Sequence, residues 1–220
     1  MAQVLTVNVA HPRPNTAEGR AVTGIDKRPV TGAVAVRAPG PMHGGLGSGL
    51  VGDIIGDQQF HGGDDQAVYA YAREDLDAWQ VRLDREIANG EFGENLTTAG
   101  IDVTNALIGE RWRVGKAGLE LEVSRPRIPC RTFANWLQLN GWVKTFTRTA
   151  IPGAYFRLVT PGSVAGGDDV TVTHRPDHDV TIGVVFRALT LEPGLLPQIL
   201  RADALAEPIR ELAERRINAG

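Results

Sequence analysis

Cys130 is the only cysteine of this 220-residue chain. It closes the run Val123-Ser124-Arg125-Pro126-Arg127-Ile128-Pro129-Cys130-Arg131. A lone cysteine forms no internal disulfide, so it either packs as a small hydrophobe or does chemistry. Two prolines stiffen the approach, and Arg125, Arg127 and Arg131 flank the thiol. Cations beside a thiol favour the thiolate, the form that attacks an electrophile or binds a metal. His61 is the second residue suited to chemistry. It lies in Phe60-His61-Gly62-Gly63-Asp64-Asp65, where glycines permit a close backbone approach to a ligand and an imidazole can move a proton near neutral pH. The competing reading of His61 is a turn histidine that caps local backbone.

Other motifs are weaker. In Glu91-Phe92-Gly93-Glu94-Asn95-Leu96-Thr97-Thr98, Asn95 can donate and accept hydrogen bonds, and Glu94 can serve as an acid, a base or an arginine partner. The bland reading is a turn into a strand. Asp64-Asp65 and Asp168-Asp169 each follow Gly-Gly and read as turns. His174 and His178 lack the cysteine pair of a zinc site. Gly47-Ser48-Gly49-Leu50-Val51-Gly52 matches G-x-G-x-x-G, but it lacks the preceding strand and following helix of a dinucleotide site and reads as loop.

These residues need a frame. Gly and Pro are frequent, at 26 and 13 residues, which suits short strands joined by turns. The N-terminal run from Met1 to Val9, Val30 to Val36, Arg111 to Val114, Leu119 to Val123, Tyr155 to Val159 and Val170 to Val172 read as strands. Residues 39 to 52 read as a long glycine-rich loop. Leu76, Trp79, Leu83 and Ile87 fall at helical spacing, with Asn89-Gly90 as the expected stop. Beyond His174 the pattern turns helical. Val180, Val184 and Leu189 mark a helix starting near Asp179 or Thr181. Leu195 to Leu200 mark a second, and Leu205, Ile209 and Leu212 a third, with Pro208 in its first turn. The expected division is 1–175 for a mainly β domain and 176–220 for a three-helix appendage that buries its stripes internally or on a partner.

Bulk properties narrow the function classes. The net charge of −3 and the 6% aromatic content give no bias toward a nucleic-acid polymer or a membrane surface. No segment is long and apolar enough to span a bilayer, the N-terminal run has no basic leader, and one cysteine suits a reducing compartment. The expected location is the cytoplasm.

Taken in order, the motifs resemble the MOSC family, named for the C-terminal domain of molybdenum cofactor sulfurases. They are Gly24-Ile25-Asp26-Lys27-Arg28-Pro29, Gly49-Leu50-Val51-Gly52-Asp53, His61-Gly62-Gly63, Phe92-Gly93-Glu94-Asn95-Leu96-Thr97, Ile108-Gly109-Glu110, Pro126-Arg127-Ile128-Pro129-Cys130, Gly153-Ala154-Tyr155-Phe156-Arg157 and Gly166-Gly167-Asp168. The tail resembles the three-helix extension of the stand-alone bacterial branch that protects against N-hydroxylated purines.

The resemblance implies an α+β fold built on a MOSC-type β-barrel with a helical appendage, and a molybdenum cofactor. It matches Cys130 to the family's molybdenum ligand. A soft thiolate suits such a metal, and Lys27, Arg125, Arg127 or Arg131 would pair with the pterin phosphate, with Asn95 and Glu94 as further cofactor-binding candidates. The implied reaction reduces N–OH to N–H, with His61 as proton donor and an external electron-donor protein. The alternatives are a carrier of cofactor or sulfur, and a cysteine hydrolase using Cys130 and His61. The C-terminal helices would dock a redox partner, form a homodimer contact or cover the barrel.

Overall fold

Alternating apolar and polar residues build several of the longer strands. The computed structural model describes residues 1–15 and 20–219, with backbone alone at Arg20 and Ala21. The strands are β1 (Gln3–Ala10), β2 (Arg13–Asn15), β3 (Arg20–Thr23), β4 (Lys27–Pro29), β5 (Val34–Val36), β6 (Val68–Ala72), β7 (Leu96–Ala99), β8 (Arg111–Val114), β9 (Leu119–Pro126), β10 (Ala154–Thr160), β11 (Gly162–Val164) and β12 (Val170–His174). The helices are α1 (Arg73–Leu83), α2 (Arg131–Leu137), α3 (Trp142–Thr149), α4 (Ile182–Thr190), α5 (Leu196–Ile199) and α6 (Glu207–Ala219).

Eight strands form one sheet in the order β12-β8-β9-β10-β6-β7-β1-β4. Every pair is antiparallel except β6 with β7. A parallel pair needs a crossover, and α1 lies in the connection that supplies it. The fold is α+β with a large, mostly antiparallel sheet. The end strands β12 and β4 do not pair with each other. β1 approaches the start of β12 through the single bridge Gln3–Asp169, flanked by Val170 N to Ala2 O at 2.9 Å and Val4 N to Asp168 O at 2.8 Å. The ladder thus falls short of the continuous pairing expected of a closed barrel.

Two apolar clusters hold the layers. One joins strand residues such as Val4, Val7, Leu121, Val123 and Phe156 to Ile182, Val185, Ile199 and Ile209 of the C-terminal helices. Those helices therefore bury their stripes on the sheet as well as on one another. The other cluster is aromatic: Tyr69, Tyr71, Trp79, Phe92, Phe133, Trp142, Phe146 and Phe186 converge from β6 and from α1 to α4. Trp79 stacks on Phe146 at 5.9 Å, and Phe92 meets Phe133 edge-on at 5.1 Å.

The expected helix ends sooner than its apolar spacing suggested. Asp84 adopts the left-handed conformation at φ 49° and closes α1, with its N–H bonded to Gln80 O. Ile87 is buried beyond the helix, and Asn89-Gly90 turns the following loop. Thr181 caps α4, its hydroxyl accepting from Val184 N at 3.1 Å. No helix of the described residues is long and apolar enough to cross a membrane.

Two expectations follow. Phe92→Ala should cost about 3–5 kcal/mol in urea denaturation, because the cavity would open among rings already in contact. A chain ending at residue 175 should lose cooperative unfolding, because the cut strips Val185, Ile199 and Ile209 from the core they share with the sheet. A sharp thermal transition in that truncated chain would show that the strands carry their own core.

Candidate functional site

Five of the sequence-derived candidates line one cleft: Lys27, His61, Asn95, Arg127 and Cys130. They arrive from β4, the loop before β6, the loop before β7, and the segment after β9. The cleft encloses about 90 Å³, below the roughly 300–1,000 Å³ of ordinary small-molecule sites. A ligand of cofactor size would therefore also occupy its open mouth.

Cys130 is partly exposed and forms no disulfide. It sits at the N-cap of α2 in extended conformation, and its carbonyl accepts from Ala134 N at 3.2 Å. Phe133 and Leu137, one helical turn apart, bury α2 in the aromatic cluster and so fix the position of Cys130.

Lys27 is not a spare cation. Its Nζ lies 2.6 and 2.7 Å from the two carboxylate oxygens of Asp53. Asp53 also accepts from Ser48 Oγ at 2.7 Å, Asn95 Nδ2 at 2.9 Å and Ala10 N at 2.8 Å. Burial pushes the Asp53 carboxyl up, but Lys27, Ser48 and Asn95 together hold it below the usual range. The glycine-rich loop is thus pinned rather than free. Gly49 N donates to Ala67 O at 2.8 Å, so close that a Cβ there would lie 2.7 Å from that oxygen. Neither a strand before this loop nor a helix after it builds a dinucleotide site.

The Asn95 amide is spent inside the fold. Besides Asp53, it donates to Asn8 O at 3.3 Å and accepts from Tyr69 N at 3.1 Å. Glu94 is fully buried and does not line the cleft. It accepts from Gly90 N, Phe92 N and Thr97 Oγ1 at 2.5, 3.0 and 2.8 Å. Burial raises its pKa despite these bonds. Arg131 is exposed on the first turn of α2, and neither it nor Arg125 lines the cleft.

Arg127 differs from the other basic residues. It is 4% exposed, donates to Phe92 O, and lies 3.9 Å from the Phe133 ring centroid and 5.4 Å from that of Tyr69. Among the described residues no carboxylate pairs with it. Burial disfavours the cation, but the Tyr69 and Tyr155 phenols and the Cys130 thiol around it hold its pKa above the usual arginine value. Desolvating an ion costs several kcal/mol, and a buried cation–π contact returns about 2. With no carboxylate partner among the described residues, the side chain lines the cleft as a cation that an anionic ligand would complement. Arg125 adds to this: its Nε is buried without a hydrogen-bond partner, and burial lowers its pKa against the pull of Tyr155 and Asp65.

The sequence reading missed Asp53 as the hub, and it missed Tyr69, Tyr155, Asn15 and Thr132 in the cleft wall. The quoted motifs contained Asp53 and Tyr155, but their roles depend on distant partners. His61 lines the cleft, with its backbone N–H donating to Asp57 O at 3.1 Å. The minor histidines lie elsewhere. His43 and His174 are exposed, and His178 Nδ1 accepts from Val180 N at 3.3 Å. Asp168 closes its turn through Ala165 N at 2.8 Å. Among the described residues, no group of three His, Cys, Asp or Glu side chains could hold a metal. A metal beside Cys130 would thus bring its other ligands with it.

The α+β fold thus brings a free thiol and a buried guanidinium, without a carboxylate partner among the described residues, into one cleft. The chain belongs to the MOSC domain family, whose model matches residues 57–171. It is 32% identical over 180 residues to YflK of Bacillus subtilis (strain 168), a protein described as uncharacterized, covering 81% of this chain and 76% of YflK. The crystal structure of YiiM from Geobacillus stearothermophilus superposes with a TM-score of 0.77 at 30% identity, covering 98% of this chain and 99% of that one. A protein named "Reductase" from Gibberella moniliformis (strain M3125 / FGSC 7600) is 27% identical over 175 residues, which span 76% of this chain and 31% of that protein.

The ion pair gives a pH prediction. The folded Asp53 pKa lies below its unfolded value of about 4. Its contribution is therefore complete above about pH 4 and is lost as pH falls through the folded value. Asp53→Asn should cost about 3–5 kcal/mol at pH 7 by leaving Lys27 buried and unpaired. It should also flatten the loss of stability in acid. Equal stability of variant and parent in urea at pH 7 would rule out this role.

Proposed function

We propose that the cleft holds a molybdenum cofactor and that the protein is an oxidoreductase that reduces N-hydroxylated compounds, N-hydroxylated purine bases among them, from N–OH to N–H. The observation that carries this reading is the pairing of Cys130 with the uncompensated Arg127 in one cleft. A soft thiolate donor suits molybdenum, and a buried guanidinium without a carboxylate suits the phosphate of a pterin. Arg125, with its unpartnered Nε, reinforces the positive charge behind the cleft. The name of the Gibberella relative is consistent with a reductase. We read the approach of β1 to β12 as the seam of a MOSC-type barrel.

When bound, the cofactor would supply the two electrons of the reduction. The chain's own residues hold and orient. Cys130 would donate sulfur to the metal, Arg127 would pair with the phosphate, and the aromatic cluster beneath Arg127 would keep water away from its charge. His61 would pass a proton to the leaving oxygen. Lys27, Asn95 and Glu94 shape the walls through their internal bonds. An external electron-donor protein would restore the reduced state.

The test is turnover of N-hydroxyadenine by protein isolated from a cofactor-producing host. Cys130→Ala should lose at least about 10²-fold in rate while keeping the parent's thermal midpoint. Parent-level reduction by that variant would remove Cys130 from the reaction. Cofactor transfer to an apo-enzyme without turnover would instead support a carrier.

A further inference from the structure

Reducing an N-hydroxylamine to an amine consumes two electrons and two protons and releases water. His61 accounts for one proton. We propose that the Tyr155 hydroxyl is the second proton donor of the cleft, hydrogen-bonded to the N-hydroxyl group of the substrate. This rests on the reading of the site as an N-hydroxyl reductase. The bound cofactor would supply the two electrons and the electron-donor protein would restore them, and the N–O bond would break as they are taken up. The departing oxygen takes the His61 proton and leaves as water, the nitrogen takes the Tyr155 proton, and solvent reprotonates the phenolate.

The contrast among the three tyrosines is the starting point. Tyr69 donates its hydroxyl to Pro152 O at 2.8 Å. Tyr71 donates to Ile151 O at 2.7 Å and accepts from Trp79 Nε1 at 2.9 Å. Tyr155 makes no side-chain hydrogen bond to the described residues, yet it lines the cleft beside Cys130, His61 and Arg127. A partly buried phenol normally finds a partner. Tyr155 lines the cleft with its hydroxyl left for solvent or a ligand.

The ring is also held in place. Tyr155 stands opposite Arg125 on β9 and Tyr69 on β6. Its ring packs on Tyr69 at 4.9 Å, and its carbonyl accepts from Ser124 Oγ at 2.9 Å. A donor fixed by strands on both sides is pre-organised for its acceptor. Burial raises the Tyr155 pKa, with the Arg127 and Arg125 charges opposing it, so the hydroxyl stands in the cleft as a protonated donor.

The experiment compares the full-length parent with Tyr155→Phe, which removes one oxygen and keeps the ring. In cofactor-loaded protein, kcat for N-hydroxyadenine should fall about 10²-fold, with KM within about threefold and molybdenum content unchanged. In metal-free protein, calorimetry should show the parent binding N-hydroxyadenine more tightly than adenine, a preference that Tyr155→Phe loses. A variant with parental kcat and parental preference overturns the proposal, as does a parent with no preference. A parent that shows the preference but no turnover would refute the reductase reading alone, and the effect of Tyr155→Phe on that preference would still decide whether the hydroxyl touches the ligand.

Discussion

Asp53 is the anion on which the cleft depends. Its carboxylate receives Lys27, Ser48, Asn95 and the Ala10 amide within 2.6–2.9 Å. Those groups come from β4, the glycine-rich loop, the loop before β7 and the end of β1. Two buried charges would cost several kcal/mol each if left alone. Five hydrogen bonds to one carboxylate offset that cost only when all four segments are in place. The pair therefore reports on assembly: it is stable in the folded cleft and expensive in any partly opened form.

The same arrangement decides which cation remains available. Lys27 is neutralised by Asp53, while Arg127 faces aromatic rings and a carbonyl. A rigid aromatic cluster beneath it, drawn from β6 and α1 to α4, holds the guanidinium where water cannot screen it. Low local dielectric strengthens its attraction for an anion. Cys130 sits at the edge of this charge because α2 buries Phe133 and Leu137 in that cluster. Packing of the aromatic cluster thus helps fix where Arg127 and Cys130 stand in the cleft.

Much of this was legible in the sequence, for identifiable reasons. Alternation marked β8, β9, β10 and β12, because one face of each is apolar. The motif order placed Cys130, His61, Asn95 and Lys27 together, although nothing local says that they meet. β6 escaped because Val68-Tyr69-Ala70-Tyr71-Ala72 is buried on both faces and has no alternation to read. The helices α2 and α3 escaped because each is short and buries only one apolar pair, Phe133 with Leu137 and Trp142 with Phe146. The internal bonds of Lys27, Asn95 and Glu94 were not legible, for another reason. Their partners lie tens of residues away or in the backbone, so residue type alone suggests a ligand contact where the fold makes an internal one. The uncompensated state of Arg127 has the same origin, since it depends on which carboxylates the fold keeps away.

The central claim is that this cleft is built to receive an anionic, metal-bearing cofactor at Cys130 and Arg127. The most direct measurement is the molybdenum-to-protein ratio of the chain isolated in parallel from a cofactor-producing and a cofactor-deficient host. The account predicts a ratio approaching one in the first and background in the second. Background molybdenum in both, with the protein folded, would contradict it.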